Sequence, residues 1–244
     1  VKVAPQHNIV IEGRDLSGAA KERYETTMSG MVQGLGATRI GKILLHFIKN
    51  SGTQRDWVLI APYSAKFHSE YRVCNALAWD DLWPVTIGTT EVMATRVNFS
   101  PETFMKSPCH AGPGSTTFEV LVHELVHAQR HVSRVARNVP LDGAMAGYEN
   151  EEEFFAVVFA NTWASSHARG PVDVDGLRSD HGTGRLPAAQ QDSEVFLSNR
   201  DHYRLVKKYC EQQPELTRQV AEVDLKFNPF RTYYAWKAKN KVVR

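Results

Sequence analysis

TTFEVLVHELVHAQRHVSRVARN, residues 116–138, organises the rest of the chain. Phe118, Val122, Leu125 and Val126 recur at helical spacing and give the segment an apolar side, so it reads as one long helix. A loop rich in Pro and Gly, MKSPCHAGPGS (105–115), leads into it. Inside the helix lies HELVH, residues 123–127. Positions i and i+4 stand one above the other on a helix. The imidazoles of His123 and His127 can therefore reach one cation, with Glu124 beside them and able to point toward a water on that cation. Zinc takes neutral nitrogen and carboxylate ligands and keeps one position open when it is catalytic, which is what this spacing supplies. An ordinary amphipathic helix could hold the same histidines on its surface or in a core. The helical context, the flanking Leu and Val and the loop leading in all count against that. With 10 His in 244 residues, chance supplies such a pentapeptide in about 3% of comparable chains.

A zinc site of this kind needs a third protein ligand. His131 continues the face of His123 and His127, but it stands two turns beyond His123, about 12 Å along the axis. Sites that take a third His downstream of this motif bring it in through a Gly turn, and Arg130 occupies that place, so His131 reads as solvated or supporting. The second helix, in YENEEEFFAVVFANTW (148–163), is the better source. Asn150 is a good N-cap, Glu151 to Glu153 suit the helix dipole, and Glu153 holds the capping-box position, so the acids alone require no metal. A zinc motif about 25 residues upstream and short of a ligand changes that balance. Glu153 is favoured because its face continues through Ala156, Val157 and Ala160, small residues that permit close packing on the motif helix. Glu149 lies on the same face and is the reserve; Glu152 is third.

Toward the N-terminus, QHNIVIEG (6–13), DWVLIAPY (56–63) and EVMATRVNFSP (91–101) read as strands. Asp15 to about Val32 reads as a helix broken by the glycines of MSGMVQGLGA, and residues 37–50 as a second, stopping at Ser51-Gly52. Toward the C-terminus, a helix over about 151–167 precedes a loop-like stretch (169–189) and further helix over 192–223. This order predicts an α+β fold: a small mixed sheet in the N-terminal half, then a helix pair carrying the site, then C-terminal helices. Residues 1–244 make one domain, or two packed lobes, 1–104 with the strands and 105–244 helical with the zinc site. The aromatic run FNPFRTYYAW (227–236) should pack on the body, and KAKNKVVR reads as a solvated basic tail. EVMATRVNFS is a candidate edge on which an extended peptide could pair, or an ordinary sheet strand.

Composition narrows the function classes. Lys+Arg number 29 against Asp+Glu 27, a net +2, which gives no electrostatic reason to expect nucleic acid or an anionic membrane. No apolar run approaches the roughly 20 residues of a membrane helix. Cys74, Cys109 and Cys210 are too few and scattered for a disulfide scaffold or a Cys-rich zinc site. Cys109 could approach the metal as a thiolate or sit in its loop without contact. The opening VKVAPQHNIVIEG has neither an initiator Met nor the layout of a signal peptide, which reads as a domain cut from a longer protein.

NEEEFFAVVF (150–159) resembles the third-ligand helix of the anthrax lethal factor type of gluzincin, in which N-E-x-E-F-F-A follows an H-E-x-x-H helix. The resemblance places the ligand Glu on Glu153. The run GYENEEEFFAV (147–157) with LRSDHG (177–182) is similar to metallopeptidase domains of secreted bacterial effectors, particularly toxin domains fused to type VI secretion spike (VgrG) proteins. It covers about residues 105–190. Ala146 stands where the lethal factor pattern carries a catalytic Tyr, with Tyr148 two residues nearer, and Val157 stands where that family has a second acid. The resemblance implies a zinc metalloprotease acting as a secreted toxin, one Zn2+, and a protein or peptide substrate. It further implies a spike or other delivery protein, an immunity protein, and action in a target periplasm or host cytosol. In the expected hydrolysis Glu124 takes a proton from water and passes it to the leaving amine, while one protein donor joins zinc in stabilising the oxyanion. His181 and Tyr148 are the leading donor candidates, and His202, Tyr203, Tyr233 and Tyr234 are eligible. Two other readings stay open: a non-catalytic, metal-stabilised module that binds a target or spike, and an intracellular peptidase or an amidase acting on cell-wall material.

Overall fold

A computed structural model describes residues 2–50, 56–63, 76–104, 116–166, 177–180 and 184–242. Five strands form one sheet in the order β1-β2-β3-β5-β4: β1 (Lys2–Ala4), β2 (Ile9–Ile11), β3 (Asp56–Ala61), β4 (Ala76–Ile87) and β5 (Thr90–Phe99). The pairs β2/β3 and β3/β5 are parallel, whereas β1/β2 and β4/β5 are antiparallel. The sheet is therefore mixed, as expected, and lies wholly in the N-terminal half. Alternation along the strands separates two faces. Ile9, Ile11, Val58, Ile60, Val97 and Phe99 join the main core, while Val10, Leu59, Ala61, Val92 and Ala94 form a smaller cluster on the other face.

Among the described residues there are also nine α-helices, α1 (Gly18–Ala37), α2 (Arg39–Asn50), the single turn α3 (Pro101–Phe104), α4 (Thr117–Val132), α5 (Glu151–Ser165), α6 (Ser193–Ser198), α7 (Arg200–Gln212), α8 (Pro214–Ala221) and α9 (Pro229–Val242), and three short 3-10 segments, Pro5–His7, Gly143–Tyr148 and Ala188–Gln191. None of them is long and apolar enough to cross a membrane. Helix α4 packs on β3, β4 and β5 and carries α5 against it, while α7 packs on α5 and is itself covered by α8 and α9. Helix α8 also meets α2, so elements of the first half and the C-terminal helices touch. Phe227, Phe230 and Tyr233 are buried in the main core, which places the aromatic run on the body, as expected. The basic segment after it continues α9 as helix as far as Val242, and Lys237 and Lys239 on it are exposed, in keeping with a solvated end.

Three sequence expectations are corrected. Helix α1 runs straight through Gly30, Gly34 and Gly36. A Cβ at Gly34 would stand 3.2 Å from the Phe118 ring, so that glycine admits a neighbouring helix and does not break its own. The strand over 91–101 is no edge: β5 is enclosed by β3 and β4. The end strands are β1 and β4, and the sequence pattern does not announce β4. Pro84 and a bulge, in which residues 79–81 stand opposite Arg96 alone, hide its alternation, and both are features of edge strands. Finally, α4 ends at Val132 and not near 138, because Arg134 adopts φ 59° and Val135 N closes back on Arg130 O.

Candidate metal centre

The motif helix is anchored at its first turn. The Thr116 hydroxyl accepts from Glu119 N at 3.2 Å and the Glu119 carboxylate accepts from Thr116 N at 3.0 Å, a reciprocal pair that satisfies two otherwise unpaired donors. Two turns on, the helix is buried on every side between the sheet and α5. His123 is 0% exposed, Glu124 5% and His127 8%.

The second helix is entered through a tight reversal. Glu149 has φ 61° and ψ −54°, and Asn150 N donates to Tyr148 O at 2.6 Å, a γ-turn of the strained, positive-φ kind. Leu141 N donates to Glu149 O and Glu151 N to Val139 O, which ties this turn to the preceding strand-like segment. The Asn150 side chain then caps the helix by accepting from Glu153 N at 3.0 Å.

Successive residues on a helix diverge by about 100°, and the three acids of α5 separate accordingly. Glu151 takes Lys208 of α7, Glu152 takes Arg130 of α4, and Glu153 turns to the histidines. The Glu153 Oε2 atom lies 2.9 Å from His123 Nε2 and 3.3 Å from His127 Nε2, and the two Nε2 atoms are 3.0 Å apart. A tetrahedral zinc with arms of about 2.0 Å sets its ligand atoms about 3.3 Å from one another. All three edges fall within a few tenths of an ångström of that figure. The donor set, two imidazole nitrogens and one carboxylate oxygen, also suits that metal. His123, His127 and Glu153 are the group among the described residues that can hold a metal ion.

No protein-family model, curated protein or solved structure matches the chain.

Electrostatics agree with the geometry. Burial by itself would raise the Glu153 carboxyl and depress the His127 imidazole. The facing charges outweigh burial: His127 and His123 hold Glu153 well below the usual carboxylate range, and Glu153, with help from Glu124 and Glu152, lifts His127 to about 9. A positive charge at this spot is therefore stabilised by the fold, whether a proton or a cation carries it.

Glu149, the reserve ligand, is exposed in the γ-turn, and Glu152 is committed to Arg130. His131 is half-buried on the last turn of α4, outside the group. Tyr148 packs edge-on against Phe154 and His202, at 5.0 and 6.5 Å between ring centres, and burial pushes its phenol well up. It joins a polar cavity of about 340 Å³ with Asp180, Gln190 and His202, and makes no hydrogen bond or ring contact with the three candidate ligands. His202 is held by Phe196 O at 3.1 Å, Tyr203 stacks on Trp236, Tyr233 is buried, and Tyr234 bonds Thr217. All four belong to the packing of the C-terminal helices. His181, Cys74 and Cys109 lie outside the described residues, and Cys210 is a free, buried thiol that burial pushes up to about 12. Sequence reasoning misses two features of the site: the Thr116/Glu119 box, whose T-x-x-E signature is legible, and Arg130, which in sequence registers only as the absence of a glycine.

Proposed function

We propose that this protein is a zinc-dependent peptidase in which His123, His127 and Glu153 hold the metal and Glu124 is the general base. The observation that carries the reading is the convergence of three ligand atoms from two helices at tetrahedral spacing, with a buried carboxylate one residue after the first His. A structural site needs only ligands, whereas Glu124 on the helix face beside them gives a place for a proton in transit. Zinc, when bound, supplies a Lewis acid that acidifies water and polarises a carbonyl. Glu124 accepts the proton released from the attacking water and returns it to the departing amine. Its burial keeps bulk water from competing for that proton. The end strand β4 lies against α4 and offers an outer edge on which an extended peptide backbone can be aligned. The resemblance of residues 147–157 to effector metallopeptidases supports a toxin setting, with a protein or peptide of the target cell as substrate.

The test is zinc content together with proteolysis and growth arrest, for the wild type, Glu124→Gln and Glu153→Ala, each expressed in cytoplasm and in periplasm. One zinc per chain is expected in the wild type. Glu124→Gln should retain zinc and lose activity by about 10²–10⁴-fold, and Glu153→Ala should lose the metal. Undiminished toxicity in Glu124→Gln would sink the peptidase reading.

A further inference from the structure

Among the described residues Arg130 is the largest side chain that the fold buries completely. A guanidinium does not shed its charge, so the interior must answer it in full. Its Nε and Nη2 both donate to the Glu152 carboxylate, Nη2 to Oε1 at 2.9 Å. Nη1 reaches Gln213 Oε1 at 3.2 Å and Nη2 reaches Gln212 Oε1 at 2.8 Å. The rings of Phe155 and Tyr209 lie 4.5 and 4.9 Å from its central carbon. Arg137 N adds a second donor to Glu152 Oε1 at 2.7 Å, and Gln213 passes the network on to Gln129 at 2.9 Å.

Such a pair contributes little net stability compared with well-packed apolar residues, because both charges lose their hydration. What a two-pronged contact does fix is geometry, both sliding and rotation. Here it joins the two helices that carry the candidate ligands. Arg130 stands three residues after His127 on α4, and Glu152 immediately precedes Glu153 on α5. A helix turn is stiff, so fixing one carboxylate against α4 fixes the next. A slip of about 1 Å between the helices would take Glu153 out of tetrahedral reach. We propose that Arg130 and Glu152 are positioning residues of the metal centre, and that their paired contact sets the register of α5 on α4 that brings Glu153 to His123 and His127. This rests on the zinc reading above. Glu151 is the built-in control: it belongs to the same turn, but its partner Lys208 is on α7.

The experiment measures zinc affinity by competition with a chelating dye, the visible spectrum of the cobalt-substituted protein, and thermal unfolding of the metal-free form. The chains compared are wild type, Glu152→Gln, Arg130→Lys, Glu151→Gln and the paired Arg130→Met/Glu152→Leu. Glu152→Gln and Arg130→Lys should each weaken zinc by about 10–100-fold and alter the cobalt bands. Glu151→Gln should stay within about twofold of wild type. The paired apolar exchange should recover thermal stability without recovering affinity, which separates positioning from packing. Affinity that tracks thermal stability across the series, or a Glu152→Gln protein with wild-type affinity, overturns the proposal while leaving the zinc site standing. A wild-type chain that takes up no zinc overturns both. Should Glu152→Gln fail to fold, the paired exchange and Arg130→Lys decide the matter.

Discussion

Glu151, Glu152 and Glu153 carry one side chain at three consecutive positions, and the fold sends each to a different partner. The first bridges to α7, the second clamps α4, and the third joins the metal group. Divergence around the helix makes that division, since one carboxylate cannot serve two faces. A second residue shows how burial sets proton affinity. His202 donates from Nδ1 to Phe196 O, stacks on Phe196 at 4.1 Å, and has its pKa lowered from 6.5 by burial, against the smaller upward pulls of that carbonyl and Asp201. The folded state favours the neutral ring, so the unfolded chain takes up this proton first as pH falls. The contribution of His202 is fully present above 6.5 and declines on acidification until the folded ring is protonated too. His202→Gln keeps a donor for the carbonyl without the titration. Its thermal stability should fall less steeply than that of wild type between about pH 7.5 and about pH 5, and parallel curves would refute the assignment. At this scale much is legible in the sequence. Spacing on a helix points to His123 and His127, because i, i+4 geometry is local, whereas Glu153 is reached through the small-residue face of its own helix, which Glu149 shares, and through the family resemblance. Arg130 is not legible, because its partners Glu152, Gln212 and Gln213 come from distant parts of the chain.

At the scale of the element, the ends decide more than the middles. Helix α4 shows an apolar side in the sequence, but in the fold it is buried all round, Gln129 and Arg130 included, so burial does not mark its first residue. The Thr116/Glu119 box marks it instead, two turns before His123. Thr116→Ala removes the side-chain acceptor for Glu119 N and should cost about 1 kcal/mol, read as a lower denaturant midpoint with an unchanged slope; an unmoved midpoint would show that the sheet alone sets the helix start. The helices are easier to find in the sequence than the strands. Helix α2 shows a clear apolar face, whereas Pro84 and the bulge between Ala78 and Leu82 erase the period-two alternation of β4. The glycines of α1 mislead for a related reason. Local propensity marks them as breakers, but Gly34 answers to Phe118, more than 80 residues away in sequence.

At the scale of the molecule, the question is whether the boundary near residue 104 separates two lobes. The main core runs without interruption from Ile9 and Ile11 of β2, through Leu44 and Ile48 of α2 and Val120 to Val132 of α4, to Phe230 and Tyr233 of α9. Helix α4 is the reason. One side rests on β3, β4 and β5 and another on α5, so the ligand-bearing helix is as much the sheet's cover as the partner of α5. A chain starting at residue 105 would present the sheet-facing side of α4 to water, and α8 would lose its contact with α2. Each large aliphatic side chain so exposed forfeits about 1.5–3 kcal/mol, and a few such losses exceed the whole margin of a domain, about 5–15 kcal/mol. Residues 105–244 alone should therefore show no cooperative unfolding by circular dichroism and bind no zinc tightly, although every candidate ligand is present. Cooperative melting with wild-type zinc affinity would establish two lobes and move the origin of the site's rigidity from the sheet to the helix pair and its C-terminal cover.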